Sequence, residues 1–101
     1  MQFDVYRNVG VRGGIAPYFI ALQHDYFGNI RTAIVAPLLS EEHFVTQGRL
    51  TPTVLVLGQN YLVSVAELFA IERKRLGPVV ANVDSLRRQI IGAIDLLFTG
   101  V

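Results

Sequence analysis

The sequence predicts an α+β fold in which a small antiparallel sheet precedes one long C-terminal helix. Three observations carry this expectation. Apolar and polar residues alternate early in the chain, glycine-bearing connections divide the apolar runs into hairpins, and the last segment carries an apolar stripe at helical spacing.

Taken in order, Gln2 to Arg7 sets Phe3 and Val5 against Gln2 and Asp4, the two-residue period of a half-buried strand. Asn8 to Gly14 contains Gly10, Gly13 and Gly14 without large anchors and reads as a loop, mobile or ordered by a partner. Tyr18 to Gln23 and Ile30 to Ala36 form a hairpin around Gly28-Asn29, residues that tolerate positive φ, and Pro37 is expected to end it because proline cannot donate to a ladder. Ser40-Glu41-Glu42 has the pattern of a helix start capped by Ser40, limited to a turn or two by Gly48. Thr53 to Leu57 and Tyr61 to Val65 flank Gly58-Gln59-Asn60 as a second hairpin. Ile71 to Leu76 is read as a further strand, broken by Gly77-Pro78. Leu86, Ile90, Ala93, Ile94 and Leu97 then form the stripe of a helix lying on a core, with Arg87, Arg88 and Asp95 off it. Asp84 is the expected N-cap and Gly100 the glycine that closes the helix.

A chain of 101 residues supports one domain over 1–101, and roughly 65% of its unfolded surface is buried on folding. Hydrophobic residues make up 51% and charged residues 17%, so apolar surface is expected to remain after one core is filled, which predicts a homodimer. Ala33 to Leu39 is far shorter than the ~20 apolar residues a bilayer span needs, and no signal-peptide pattern opens the chain. A cytoplasmic location without membrane contact is expected. The absence of cysteine removes disulfides and thiolate chemistry and leaves His24 and His43 as isolated soft ligands, so neither metal nor cofactor is expected. A formal net charge of +1 gives no footprint for direct nucleic-acid binding. The basic residues Arg73-Lys74-Arg75 and Arg87-Arg88 read as solvated surface or as a docking patch for an acidic segment.

Catalytic constellations are weak. Ser40, His43 and Glu41 lack the strand-turn-helix elbow a nucleophilic serine needs, and the glycines after Asn8 lack the Lys-Ser or Lys-Thr pair of a phosphate cradle. Arg31 with His24 or Asp25 could serve metal-free RNA cleavage as cation and base, or could be the ordinary polar end of a hairpin.

Three segments, Met1-Gln2-Phe3-x-Val5-Tyr6, Arg31-x-x-Ile34-Val35-x-Pro37-Leu38 and Ala93-Ile94-x-Leu96-x-Phe98-x-Gly100-Val101, occur in an order and spacing that resembles the CcdB family across the whole chain. The resemblance implies a small SH3-like antiparallel β-barrel or sheet with a C-terminal helix. It also implies a non-enzymatic toxin that dimerises, binds the A subunit of DNA gyrase, traps the gyrase–DNA cleavage complex and is neutralised by a cognate antitoxin. Carried over residue by residue, the target-binding set is Phe98, Gly100 and Val101 at the terminal pattern, with Tyr26 and Phe27 at an apolar hairpin tip. Those two aromatics serve equally as a buried wedge. Asp95 stands where relatives often have an uncharged amide, and Thr99 stands where well-studied relatives have tryptophan, which removes an aromatic face of about 200 Å². For Phe98 to Val101 the plain alternative is a glycine cap whose hydrophobe covers Leu97. Ribonuclease toxins of the MazF type are similar in fold to the CcdB family and supply the enzymatic alternative; a non-toxic relative that keeps only antitoxin binding is the third.

Overall fold

A computed structural model describes residues 1–10, 16–24 and 30–100. Within them, seven strands curl into one antiparallel half-barrel closed on one face by a helix: β1 (Asp4–Arg7), β2 (Tyr18–Ala21), β3 (Thr32–Ser40), β4 (Thr53–Val56), β5 (Gln59–Val63), β6 (Phe69–Glu72), β7 (Val79–Asn82) and α1 (Arg87–Thr99). The strand order is β4-β5-β3-β2-β1-β7, with β6 added beside β3. This is the α+β, SH3-like architecture expected from the sequence.

The nine-residue β3 organises the sheet. One edge pairs with β2, whereas the other is divided: Thr32 to Val35 pair with β6, and Leu38 to Ser40 pair with β5. Pro37 therefore does not end the strand. Leu22 N–H bonds the Ile34 carbonyl across the β2–β3 ladder, and alternation from that rung turns the Pro37 backbone away from β2, into the interval between β6 and β5. There its carbonyl accepts the Ser64 N–H at 3.0 Å, and no rung requires the donor that proline lacks.

Side-chain alternation along β3 assigns the two faces. Ala36 and Leu38 join Phe3, Val5, Tyr18, Ile20, Val54, Val56, Val63 and Val65 in the principal core, which Ile90 and Ala93 of α1 cover. On the opposite face Ala33 and Val35 pack with Phe19 in a smaller cluster, flanked by Ile71 and Leu76. Two edge-on aromatic contacts fall one on each face, Tyr18–Tyr61 inside and Phe19–Phe69 outside, both at 5.4 Å between ring centroids. Burial, with Tyr18 nearby, raises the Tyr61 hydroxyl above its ordinary pKa of 10.0, and the hydroxyl donates to Gln59 Oε1 at 2.9 Å.

Several boundaries differ from the sequence reading, each for a local reason. The β4–β5 connection is the two-residue turn Leu57-Gly58, with φ of 49° and 85°, so Gln59 and Asn60 are strand residues. Positive φ at both central positions is the type I′ hairpin whose twist matches the sheet. Leu57 is exposed in this conformation and contributes no core packing in return. Leu57→Asn is accordingly expected to raise stability by about 0.5–1 kcal/mol, read as a higher urea midpoint at unchanged slope. Ser40 is the last residue of β3 and starts a turn instead of a helix, its hydroxyl oxygen accepting the Glu42 N–H at 3.2 Å. The strand expected at Ile71 to Leu76 begins two residues earlier and ends at Glu72, and Arg73 to Arg75 form a single 3₁₀ turn. Gly77-Pro78 does not break the sheet, because the Pro78 carbonyl accepts the Arg7 N–H at 2.9 Å and β7 then adds to β1 across a bulge at Val5/Tyr6. Asp84 does not cap α1. It opens a 3₁₀ turn, Asp84–Leu86, where Asn82 Oδ1 accepts its N–H at 3.0 Å and its own carboxylate pairs with Arg87 at 2.9 Å. Gly28-Asn29 and residues 11–14 of the loop expected at Asn8 to Gly14 lie outside the described residues; at the base of that loop the Asn8 amide donates to the Ala16 carbonyl at 2.7 Å.

Candidate functional site

The core grips α1 by its first two turns and leaves its last turn projecting. Ile90 and Ala93 are fully buried, and Leu86 and Ile94 are partly so, as the stripe requires; Ile91, off the expected stripe, is partly buried as well. Leu97, expected on that stripe, is 36% exposed, and Phe98 is 68% exposed. By that turn the core no longer encloses the residues at core-facing spacing. An exposed Phe beside a half-exposed Leu is apolar area without an intramolecular purpose.

Gly100 terminates the helix at φ 76°, with its N–H donated to the Leu96 carbonyl at 3.0 Å. The left-handed cap is the one expected, and it satisfies a carbonyl that the helix end would otherwise leave bare. Thr99 directs its hydroxyl into the helix, donating to the Asp95 carbonyl at 2.6 Å. That bond is made within one turn, so what Thr99 offers outward is chiefly its methyl group. Asp95 is exposed and forms no ion pair among the described residues. Together with Arg88 and Gly92 it lines a groove of about 390 Å³ between α1 and the segment carrying Arg49 and Pro52. Arg88, Gly92, Asp95 and Thr99 follow one another at intervals of four, three and four, a continuous solvent-facing stripe that leads to the tip. Sequence reasoning missed Arg49, Gly92 and the groove, because only tertiary folding brings the turn at Gly48–Leu50 beside α1.

Among the expected target-binding residues, the structure brings Asp95, Phe98, Thr99 and Gly100 together on one helix end. Tyr26, Phe27 and Val101 lie outside the described residues. The candidate catalytic groups are differently placed. Ser40 and His43 belong to one turn, joined by a backbone bond from His43 N–H to the Ser40 carbonyl at 3.2 Å, and the serine hydroxyl is engaged by Glu42. Arg31 pairs with Glu72 at 3.3 Å, His24 is exposed and Asp25 is outside the described residues. Among the described residues no three His, Asp or Glu side chains gather as a metal site, and no helix is long and apolar enough to cross a membrane.

Comparison with known proteins adds three findings. The family model for the CcdB protein matches residues 2–100. The crystal structure of an Mtb toxin superposes with a TM-score of 0.75 at 18% identity, covering 93% of this chain and 99% of that one. The Mycobacterium tuberculosis toxin MazF-mt6 superposes with a TM-score of 0.71 at 18% identity, covering 94% of this chain and 95% of that one. At such identity the two structures share a fold with this chain and nothing finer. A search of curated protein sequences gives no match.

Proposed function

Because the chain belongs to the CcdB family, the toxins of toxin–antitoxin modules, we propose that it acts without catalysis, binding the A subunit of DNA gyrase and holding the gyrase–DNA cleavage complex until an antitoxin removes it. The supporting observation is the exposed aromatic Phe98, carried outside the core on the last turn of a helix that the Gly100 cap closes. Such an anchor has two rotatable side-chain bonds to order on binding, so little of its contact energy is lost to entropy. In a homodimer that sets two such ends together, one two-fold axis can meet the two-fold of the target, and each helix tip then contacts an equivalent surface. The family resemblance adds Tyr26, Phe27 and Val101, which lie outside the described residues, to the proposed target-binding set, with Asp95 available to a target cation.

Thr99 sets the strength of this interaction. With its hydroxyl already satisfied by the Asp95 carbonyl, the side chain offers no stacking face. Thr99→Trp is therefore expected to tighten gyrase A capture by about ten- to a hundredfold, from burial of one further aromatic ring, with no comparable change in melting temperature. A pull-down against the gyrase A subunit measures both proteins.

Induction in cells tests the mechanism. Double-strand breaks with a DNA-damage response are expected, and selective mRNA loss without breaks would instead assign the chain to ribonuclease toxins. Failure to produce either effect, with antitoxin binding intact, would assign it to the non-toxic class.

A further inference from the structure

The face of the sheet opposite α1 carries a second surface that the helix tip does not explain. At the far end of β6, Glu72 is approached by three cations: Arg31 at 3.3 Å, Lys74 at 3.7 Å and Arg75 at 3.9 Å, each side chain more than 70% exposed. Arg73 completes the group, its Nε donating to the Ile30 carbonyl and its N–H to that of Arg31. Three cations thus surround one carboxylate, with a fourth beside them, in a chain whose overall charge is +1, a local excess the net figure conceals. From this turn an apolar track runs back along the same face over Leu76, Ile71 and Phe69 and into a groove of about 360 Å³ lined by Phe19, Pro37 and Phe44, with the carboxylate of Glu67 also in its lining, so the peptide's apolar residues and not its acids belong there.

We propose that this face binds an acidic, extended peptide segment, its carboxylates on the basic turn and its apolar residues along the track. Three properties select that occupant. The cationic groups of Arg31, Lys74 and Arg75 converge within 4 Å of the single Glu72 carboxylate instead of lining up along a phosphate backbone. The apolar track has no counterpart on a nucleic-acid backbone but matches every second side chain of an extended peptide. A second copy of this chain is a poor source, because its eight acidic residues include just one adjacent pair, Glu41-Glu42. The exposed guanidinium and ammonium groups favour steering and specificity over raw affinity. Within a toxin–antitoxin pair the antitoxin is the polypeptide placed to supply such a segment, and that identification rests on the function proposed above; the peptide binding does not.

The test titrates the full chain with a synthetic peptide of about ten residues alternating Glu and Leu, long enough when extended to reach from the groove to the turn. The same titration is run with a Lys-Leu peptide and with duplex DNA and single-stranded RNA. Binding of the Glu-Leu peptide alone is expected, weakening as salt rises and falling by about tenfold or more in Lys74→Glu/Arg75→Glu. Both positions are exposed, and the milder Lys74→Gln/Arg75→Gln pair guards against misfolding, with an intermediate loss expected. Equal binding by wild type and both variants would overturn the proposal, as would binding of the oligonucleotides in preference to the peptide. In cells the Lys74→Glu/Arg75→Glu variant should stay toxic while escaping antitoxin rescue. If wild type is not toxic, the gyrase reading fails and the peptide titration still decides this one.

Discussion

Truncating Phe98 to alanine is expected to weaken gyrase A binding by about thirtyfold to a thousandfold, the loss that ~2 to 4 kcal/mol at an aromatic anchor produces. Folding should scarcely register the change. Phe98 is two-thirds exposed and belongs to neither core cluster, so its removal is expected to move stability by less than about 0.5 kcal/mol. Calorimetric titration against the gyrase A subunit and a thermal melt of the free protein separate the two quantities. A fall in melting temperature matching the loss of affinity would mean that Phe98 packs within its own molecule or its dimer, and would withdraw it as an anchor. The same variant should leave binding of the acidic peptide on the opposite face unchanged.

Ile90→Ala should have the largest effect on the fold. Ile90 is wholly buried where α1 meets the sheet, alongside Val54, Val56, Val63 and Val65. Removing its outer carbons forfeits their transfer energy and leaves a cavity that β-branched neighbours on fixed strands cannot close, a cost of about 2–4 kcal/mol. For a chain of this size that corresponds to a melting temperature lower by roughly 10–20 °C. Ala93, the other wholly enclosed residue of the helix, has little side chain to lose, so most of the helix–sheet attachment depends on position 90. Chemical denaturation should show a lower midpoint with the slope preserved. Affinity for gyrase, measured well below the melting transition, should remain close to wild type, because the tip is intact in every folded molecule.

Local pattern revealed much of this architecture, and its failures have a common cause. The helix announced itself through Leu86, Ile90, Ala93 and Ile94 and its closing glycine, because amphipathic period and cap are properties of contiguous residues. The hairpins were likewise visible, while the turn at Leu57-Gly58 was misplaced by one residue because leucine is a poor occupant of a left-handed position and gives no signal for one. Pro37 misled for a different reason. Its effect on a strand depends on whether a neighbour needs its missing donor, and only the three-dimensional arrangement of β5 and β6 decides that. β7 gives no local signal because Val79 to Asn82 is short, follows Gly77-Pro78 and does not alternate; its place comes from β1, more than seventy residues earlier in the chain. At the functional end, the family resemblance drew attention to Asp95, Phe98, Thr99 and Gly100. The inward turn of the Thr99 hydroxyl and the groove beside Gly92 required coordinates.

The divided edge of β3 gives the molecule two leaves hung from a single spine. The β4–β5 leaf meets β3 at Leu38 to Ser40, and α1 rests on the turns at residues 48–50 and 65–67 that bracket it. The β6 leaf meets the spine at Thr32 to Val35 and ends in the cationic turn. Between them the ladder is interrupted at Pro37, where a carbonyl is tied and no donor exists to bridge the seam. Among the described residues no ladder hydrogen bond runs directly from one leaf to the other across this seam. The helix end and the cationic turn thus hang from different stretches of one strand, so a partner that engages both has to span the spine.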